Sequence, residues 1–246
     1  MPNRAAFLFA SLAVCHLLAE YFSSSAAVYL TKPLLLLSLA YLFYNSVNRP
    51  FGKFENYLFA GLLLSCGGDI LLLFSEGSSA TLFFISGLSS FLLAHLCYII
   101  AFYQLSPKGI RIHRPVALLF YGLAISLICY LWPALDVVMK IAISIYALTI
   151  STMGTFAYGM YQKRSYRAAT LLLFGAIAFI FSDSMIAIDK FGTGISVWNP
   201  RITIMSSYIL AQFWIVSGAI LASKEESLLD SPGVPSSPDR QDQSEG

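Results

Sequence analysis

Charged side chains are scarce in this chain. Asp, Glu, Lys and Arg make up 11% of its 246 residues, whereas hydrophobic residues make up 57%. A soluble domain carries about 25% charged residues. The composition therefore argues against any soluble domain large enough to fold alone and indicates a polytopic membrane protein. The net charge of +2 is too small to indicate a nucleic-acid partner.

Metal ligands and the short motifs of familiar hydrolytic sites are also missing. There are three histidines, without the H-x-x-x-H or H-E-x-x-H spacing that a zinc hydrolase needs. The four cysteines lie in apolar segments and share no metal-ligand spacing, so we expect them to pack as small apolar residues. No G-x-S-x-G, P-loop or dinucleotide fingerprint appears. We therefore expect neither a metal nor a cofactor.

Apolar runs divide the chain into eight segments, each close to the ~20 residues that cross a bilayer. They are residues 5–22, 27–45, 56–74, 81–103, 115–132, 137–160, 168–188 and 202–222. This pattern predicts an all-α bundle of eight transmembrane helices within residues 1–222. The tail, 223–246, is rich in Ser, Pro, Asp, Glu and Gln and is predicted to be disordered.

The basic residues are divided unequally between the two sides of this bundle. Eleven fall on the side of the termini: Arg4, Arg49, Lys53, Lys108, Arg111, Arg114, Lys163, Arg164, Arg167, Lys224 and Arg240. Three fall on the other side: Lys140, Lys190 and Arg201. By the positive-inside rule both termini are predicted to be cytoplasmic. The membrane would be the bacterial inner membrane or, in a eukaryote, the endoplasmic reticulum.

Lys32, Asp69 and Asp183 are ionisable residues that lie well inside the predicted spans. Each costs about 2.5–3.5 kcal/mol at bilayer depth on insertion scales, and such residues are usually functional. All three lie near the non-cytoplasmic ends of their helices, within roughly 10 Å of that face at 1.5 Å per residue. Glu20, Tyr208 and, one turn deeper, Gln212 share this level. A shared depth predicts one polar cavity.

Further patterns extend this candidate site. His95 and Tyr98 lie on one face of the fourth span, with His95 deeper in the membrane. Asp69 and Asp183 are 114 residues apart, each on the third span of a four-helix half, which indicates a parallel internal repeat. Gly61 and Ser65 form a small-residue stripe with Asp69 that would let a neighbouring helix approach closely.

Less specific interpretations remain open. The aspartates could be structural, bound by hydroxyl groups or by Lys32, and Lys32 could extend to the interface with its long stem. His95 could be a packed, hydrogen-bonded core residue. Two other classes of protein would also use these residues: a transporter with an Asp and Lys proton relay, and a non-catalytic lipid-binding scaffold.

Several of these segments resemble the YhhN family of membrane proteins, which includes the animal lysoplasmalogenases. The resemblance runs from about residue 27 to residue 220. The segments that carry it are Thr31-Lys32-Pro33-Leu34, Ser65-Cys66-Gly67-Gly68-Asp69, Ala94-His95, Phe181-Ser182-Asp183-Ser184 and Tyr208-Ile209-Leu210-Ala211-Gln212. One difference is that the family usually has asparagine where this chain has Asp189.

The resemblance implies an enzyme that hydrolyses the vinyl-ether bond of lysoplasmalogens to a fatty aldehyde and a glycerophospho-base. Such a bond breaks by protonation at carbon and capture of the cation by water. This calls for one protonated carboxyl and one ionised carboxylate, as in glycosidases. We expect Asp69 and Asp183 in these roles and Lys32 as the ligand of the substrate phosphate. Tyr208, Gln212, Tyr98 and His95 would hold the glycerol or the water.

Overall fold

The computed structural model describes residues 2–75, 80–106 and 109–229. Within these residues the protein is all-helical, with eight α-helices. They are α1 (Pro2–Tyr21), α2 (Ser25–Ser46), α3 (Lys53–Leu73), α4 (Ala80–Gln104), α5 (Arg114–Leu131), α6 (Val137–Gly159), α7 (Tyr166–Phe191) and α8 (Pro200–Leu229). Short 3₁₀ turns, Trp132–Ala134 and Met160–Gln162, extend α5 and α6. All eight helices are long and apolar enough to span a membrane, which confirms the predicted bundle.

Side-chain caps define the start of two of these helices. Asp136 precedes α6, and its side chain accepts a hydrogen bond of 2.8 Å from the backbone N–H of Met139. Ser165 precedes α7 and accepts one of 3.2 Å from the N–H of Ala168. Each cap satisfies a backbone donor that has no partner within the first turn of a helix. The capped start of α7 at Tyr166 lies two residues before the predicted span.

Glycines bring α3 against α4 and α7 against α8. A Cβ added at Gly61 would lie 2.5 Å from the Tyr98 ring of α4. A Cβ at Gly175 would lie 2.6 Å from Ile215 Cγ1 and 2.9 Å from the Ala211 carbonyl oxygen of α8. Each glycine therefore lacks a side chain at the point where the neighbouring helix comes closest. At Gly61 this agrees with the predicted small-residue stripe.

The helices pack as two sets of four. Consecutive helices contact one another within α1–α4 and within α5–α8, and the last two helices of each set make the most extensive pairing. The sets are joined mainly by their fourth helices, because α4 packs on α6 and α8 packs on α1 and α2. Residues on α4 and α8 can therefore reach side chains of the opposite set.

The end of α8 differs from the predicted start of a disordered tail at residue 223. The helix continues to Leu229. Polar contacts hold this extension: the Ser223 hydroxyl donates to Glu55 at 2.6 Å, and Glu225 accepts from the backbone N–H of Ser165 at 3.1 Å. Arg164 adds an ion pair of 3.4 Å with Glu226. Residues 230–246, the rest of the predicted tail, lie outside the described residues.

Candidate active site

Asp69 of α3 is buried with partners from two other helices. It is 2% exposed. The Tyr208 hydroxyl on α8 donates to Asp69 Oδ2 at 2.8 Å, and Lys32 Nζ on α2 lies 3.7 Å from Asp69 Oδ1. A hydrogen-bond donor and a cation thus offset much of the cost of burying this carboxylate.

The polar network continues from Tyr208 along α8 and across to α4. Gln212 Nε2 donates to the Tyr208 hydroxyl at 3.4 Å, and the Tyr98 hydroxyl donates to Gln212 Oε1 at 2.9 Å. Tyr98 and Gln212 are fully buried. The structure therefore joins five of the seven predicted site residues, which we call the Asp69 cluster: Lys32, Asp69, Tyr98, Tyr208 and Gln212.

Asp183 of α7 forms a second group with His95 and Tyr146, which we call the Asp183 cluster. The Tyr146 hydroxyl on α6 donates to Asp183 Oδ2 at 2.6 Å. His95 Nε2 on α4 lies 2.9 Å from the Tyr146 oxygen and 3.3 Å from Asp183 Oδ2. Because the one hydroxyl proton of Tyr146 is directed at Asp183, we assign the hydrogen of His95 to Nε2, which then donates to these oxygens.

Two phenylalanine rings lie between the clusters. Tyr208 packs edge-on against Phe91 and Phe179, with ring centroids 5.9 Å and 5.5 Å away. On the other side Phe179 packs against the His95 ring at 4.6 Å. The two clusters are therefore adjacent. Phe179 packs between Tyr208 and His95, and the clusters also meet where the Tyr98 ring lies 6.5 Å from the His95 ring.

A cavity of about 90 Å³ opens onto the Asp183 cluster. It lies among α3, α4, α5, α6 and α7 and is mostly apolar. Its polar lining residues are Tyr146, Ser151, Asp183 and Ser184, and its other lining residues include Leu72, Leu88, Phe91, Leu127, Ile143 and Ile180. Asp69 does not line this cavity, so the structure does not bring the two carboxylates together in it as the sequence had suggested. The side chain of Asp183 is 13% exposed and that of Asp69 only 3%.

The two clusters are related by a constant offset along the chain. Asp69 and Asp183 are 114 residues apart, and so are Lys32 and Tyr146, the side chains that contact them from the second helix of each half. Tyr98 and Gln212 have the same separation and bond to each other. Gly61 and Gly175, at which the third helix packs closely against the fourth, are also 114 residues apart. These equivalences agree with the predicted parallel repeat.

Each carboxylate also receives a side chain from the fourth helix of the opposite half. Tyr208 of α8 reaches Asp69, and His95 of α4 reaches Asp183. Tyr146 was not among the predicted site residues. A tyrosine in an apolar helix does not by itself indicate a functional site. The sequence feature that could have pointed to Tyr146 is its separation of 114 residues from Lys32, the same as that between the two aspartates.

Glu20, which the sequence placed at the same depth, belongs to neither cluster. Its Oε1 lies 3.7 Å from His16 Nε2 one turn earlier on α1, and His16 Nδ1 hydrogen-bonds Thr31 of α2 at 2.8 Å. In the described part of the chain, no three His, Cys, Asp or Glu side chains gather as a metal-binding group.

Comparison with known proteins relates the chain to a family of membrane proteins. The sequence profile of the YhhN family matches residues 27–219. A lysoplasmalogenase of Mycobacterium bovis is 32% identical over 178 residues, which cover 70% of this chain and 64% of that protein. The lysoplasmalogenase TMEM86A of Bos taurus is 32% identical over 168 residues, 66% of this chain and 65% of the relative. The matched region is thus shorter than two thirds of these relatives. No solved structure matches the chain.

Proposed function

This chain belongs to the YhhN family, and from that premise we propose that it hydrolyses the vinyl-ether bond of lysoplasmalogens. The products would be a fatty aldehyde and a glycerophospho-base. Relatives from a bacterium and a mammal bear the name lysoplasmalogenase, which supports this substrate class. The structural observation that carries the proposal is the position of Asp183, a carboxylate on the wall of a mostly apolar cavity among the helices.

The cavity suits the reacting part of such a lipid. Leucine, isoleucine and phenylalanine side chains line most of it, so it would accept the start of the alkenyl chain without leaving polar groups unpaired. Asp183 would then lie beside the carbon–carbon double bond next to the ether oxygen. Protonation of the carbon farther from that oxygen creates a cation that the oxygen shares, and water captures this cation. The resulting hemiacetal collapses to aldehyde and alcohol.

The Asp69 cluster would serve the polar end of the substrate. Lys32 lies seven residues inside α2 from the side opposite the termini, a depth of about 10 Å at 1.5 Å per residue. Its side chain is 13% exposed. A lysine at this depth can bind a phosphate as a point charge while Asp69 fixes its position. Tyr208, Gln212 and Tyr98, which are buried, would hold Asp69 in place, and head group and water would enter from the non-cytoplasmic face.

A proton-coupled transporter is the second candidate function. The observation that favours it is the repeat, because related halves with ionisable residues at their interface are typical of secondary transporters. Lys32 and Asp69 from one half and Tyr146 and Asp183 from the other would form the relay. Release of aldehyde by the purified protein distinguishes the two functions, since a transporter leaves its substrate chemically unchanged.

The decisive experiment uses the full chain in detergent with 1-alkenyl-glycerophosphoethanolamine, and the 1-acyl lysolipid as matched control. The expected result is release of aldehyde from the alkenyl lipid and no release of fatty acid from the acyl lipid. In deuterated water the aldehyde should carry one deuterium on the carbon next to the carbonyl, because the acid-catalysed route places one solvent proton there. Absence of aldehyde release would overturn the proposal.

A further inference from the structure

We infer that His95 and Asp183 hold one proton between them and act as a single acid, with Asp183 delivering the proton to the substrate carbon. Asp69 is then the carboxylate that stays ionised. This inference rests on the proposed function and assigns separate roles to the two aspartates. His95 acts through Asp183 and is a positioning residue that also stores the proton.

The contrast between the repeat-related clusters supports this division. Asp69 faces an ammonium group and a hydroxyl donor, and both contacts favour the ionised carboxylate. Asp183 occupies the equivalent place, yet its partners are a tyrosine and a histidine. Histidine is the side chain best suited to exchange a proton near neutral pH. A proton can therefore move within the Asp183 cluster, whereas a fixed cation holds the charge in the Asp69 cluster.

The geometry also indicates which of Asp183 and His95 would contact the substrate. Asp183 and Tyr146 line the cavity, whereas His95 does not and is fully buried behind them. The titratable side chains that face the imidazole are Asp183 from α7, Tyr146 from α6 and Tyr98 from its own helix. His95 Nδ1 is buried and has no hydrogen-bond partner among the described residues. The proton that the pair exchanges therefore lies between His95 Nε2 and Asp183 Oδ2, which are 3.3 Å apart.

The reaction balances without any other acid. The proton leaves the His95–Asp183 pair through Asp183, and the double-bond electrons form the new C–H bond. The pair is then a neutral imidazole and a carboxylate, beside a cation shared by carbon and the ether oxygen. Water forms the C–O bond to that carbon, and its proton returns to the pair. The hemiacetal hydroxyl finally gives its proton to the leaving glyceryl oxygen, which releases the aldehyde.

The test is His95→Gln in the full chain, with lysoplasmalogen as substrate. Glutamine keeps an N–H donor for Asp183 but cannot carry a proton, so a structural role for His95 would survive the change. We expect kcat to fall about 100-fold, the low end for loss of general acid–base catalysis, with KM and Tm unchanged. His113→Gln is the matched control, because His113 precedes α5 far from both clusters and should have wild-type activity.

Each other outcome counts against the inference. If His95→Gln keeps kcat within about threefold of wild type, Asp183 is the acid alone. A loss of kcat accompanied by a lower Tm or a raised KM would mean a structural role. His95→Asn serves as a second variant with the same expected loss, and failure of both to fold would also overturn the inference. A wild-type protein that releases no aldehyde would instead overturn the proposed function, which separates the two failures.

Discussion

The Tyr98 hydroxyl donates a 2.9 Å hydrogen bond to the side-chain oxygen of Gln212, a residue 114 positions later. The two residues occupy equivalent places in the two four-helix sets, on the fourth helix of each. Their bond therefore joins the halves at a shared point of the repeat. Each of the two carboxylates is likewise contacted by a side chain of its own half and by one from the fourth helix of the other half. If the predicted repeat is real, the two carboxylates occupy equivalent sites that differ in the side chains around them.

Replacing either carboxylate by its amide should abolish aldehyde release. Asp183→Asn removes the carboxyl group that faces the cavity. Asp69→Asn removes the negative charge that would stabilise the developing cation. We expect each kcat to fall at least 100-fold, a typical loss for an acid–base group. Elution in detergent should stay close to wild type for both variants, because asparagine has nearly the same shape as aspartate. The Tm should stay close to wild type for Asp183→Asn, whereas Asp69→Asn leaves Lys32 without its ion-pair partner and should lower Tm. Near-normal turnover of either variant would make that aspartate structural.

Tyr146→Phe should slow the reaction without weakening substrate binding. The hydroxyl donates to Asp183 Oδ2 at 2.6 Å and stabilises the carboxylate that forms when the proton leaves. A hydrogen bond to a charged group is worth about 1.5–3 kcal/mol, which corresponds to roughly a 10- to 100-fold fall in kcat. Tyr121→Phe, which removes a hydroxyl bonded to Thr152 elsewhere in the bundle, should be near wild type. Equal kinetics for the two variants would remove Tyr146 from the site.

Most of the bundle and the Asp69 cluster could be predicted from hydropathy and depth. Eight apolar runs fixed the helices, and Lys32, Asp69, Tyr208 and Gln212 were expected together because they share a level. The separation of the aspartates could not be predicted, because it depends on how each helix is rotated. Phe91 lies on the same face of α4 as His95, and Phe179 lies one turn before Asp183 on α7, but this spacing does not predict that the two rings pack on each other between the clusters.

Lys32→Ala should have two separable effects. Loss of the proposed phosphate ligand should raise KM about tenfold or more, as expected for a charged hydrogen bond. The change also leaves Asp69 buried without its cation, which should lower Tm. In the double variant Lys32→Ala/Asp69→Asn the Tm should return towards wild type, because no uncompensated charge remains. If the single variant has wild-type Tm and KM, Lys32 contributes neither to binding nor to the ion pair.

Gly175→Ala should destabilise the pairing of α7 with α8. The new Cβ would lie 2.6 Å from Ile215 Cγ1 and 2.9 Å from the Ala211 carbonyl oxygen, so the helices must separate. Overpacking of this kind costs about 1–3 kcal/mol and should appear as a lower Tm in detergent. Gly122→Ala on α5 is the matched control, because nothing lies within 4 Å of its added Cβ. A Tm equal to that of the control would show that α7 and α8 do not pack at Gly175.

The orientation of the bundle can be tested with single cysteines. In a variant without Cys15, Cys66, Cys97 and Cys129, Ser196→Cys would place a thiol in the exposed segment between α7 and α8. Lys163→Cys would place one in the exposed connection between α6 and α7, at the opposite end of the bundle. The excess of Lys and Arg at the end of the bundle that contains residue 163 predicts that this end is cytoplasmic.

A membrane-impermeant thiol reagent added outside intact cells or spheroplasts of a bacterial host should therefore modify the cysteine at 196 and leave that at 163 unmodified. Permeabilisation should expose both thiols, which controls for reactivity. Lys32 lies about 10 Å from the same end of the bundle, so this result would place the proposed phosphate ligand near the non-cytoplasmic face. Labelling at 163 but not at 196 before permeabilisation would reverse the topology, and substrate would then enter from the cytoplasm.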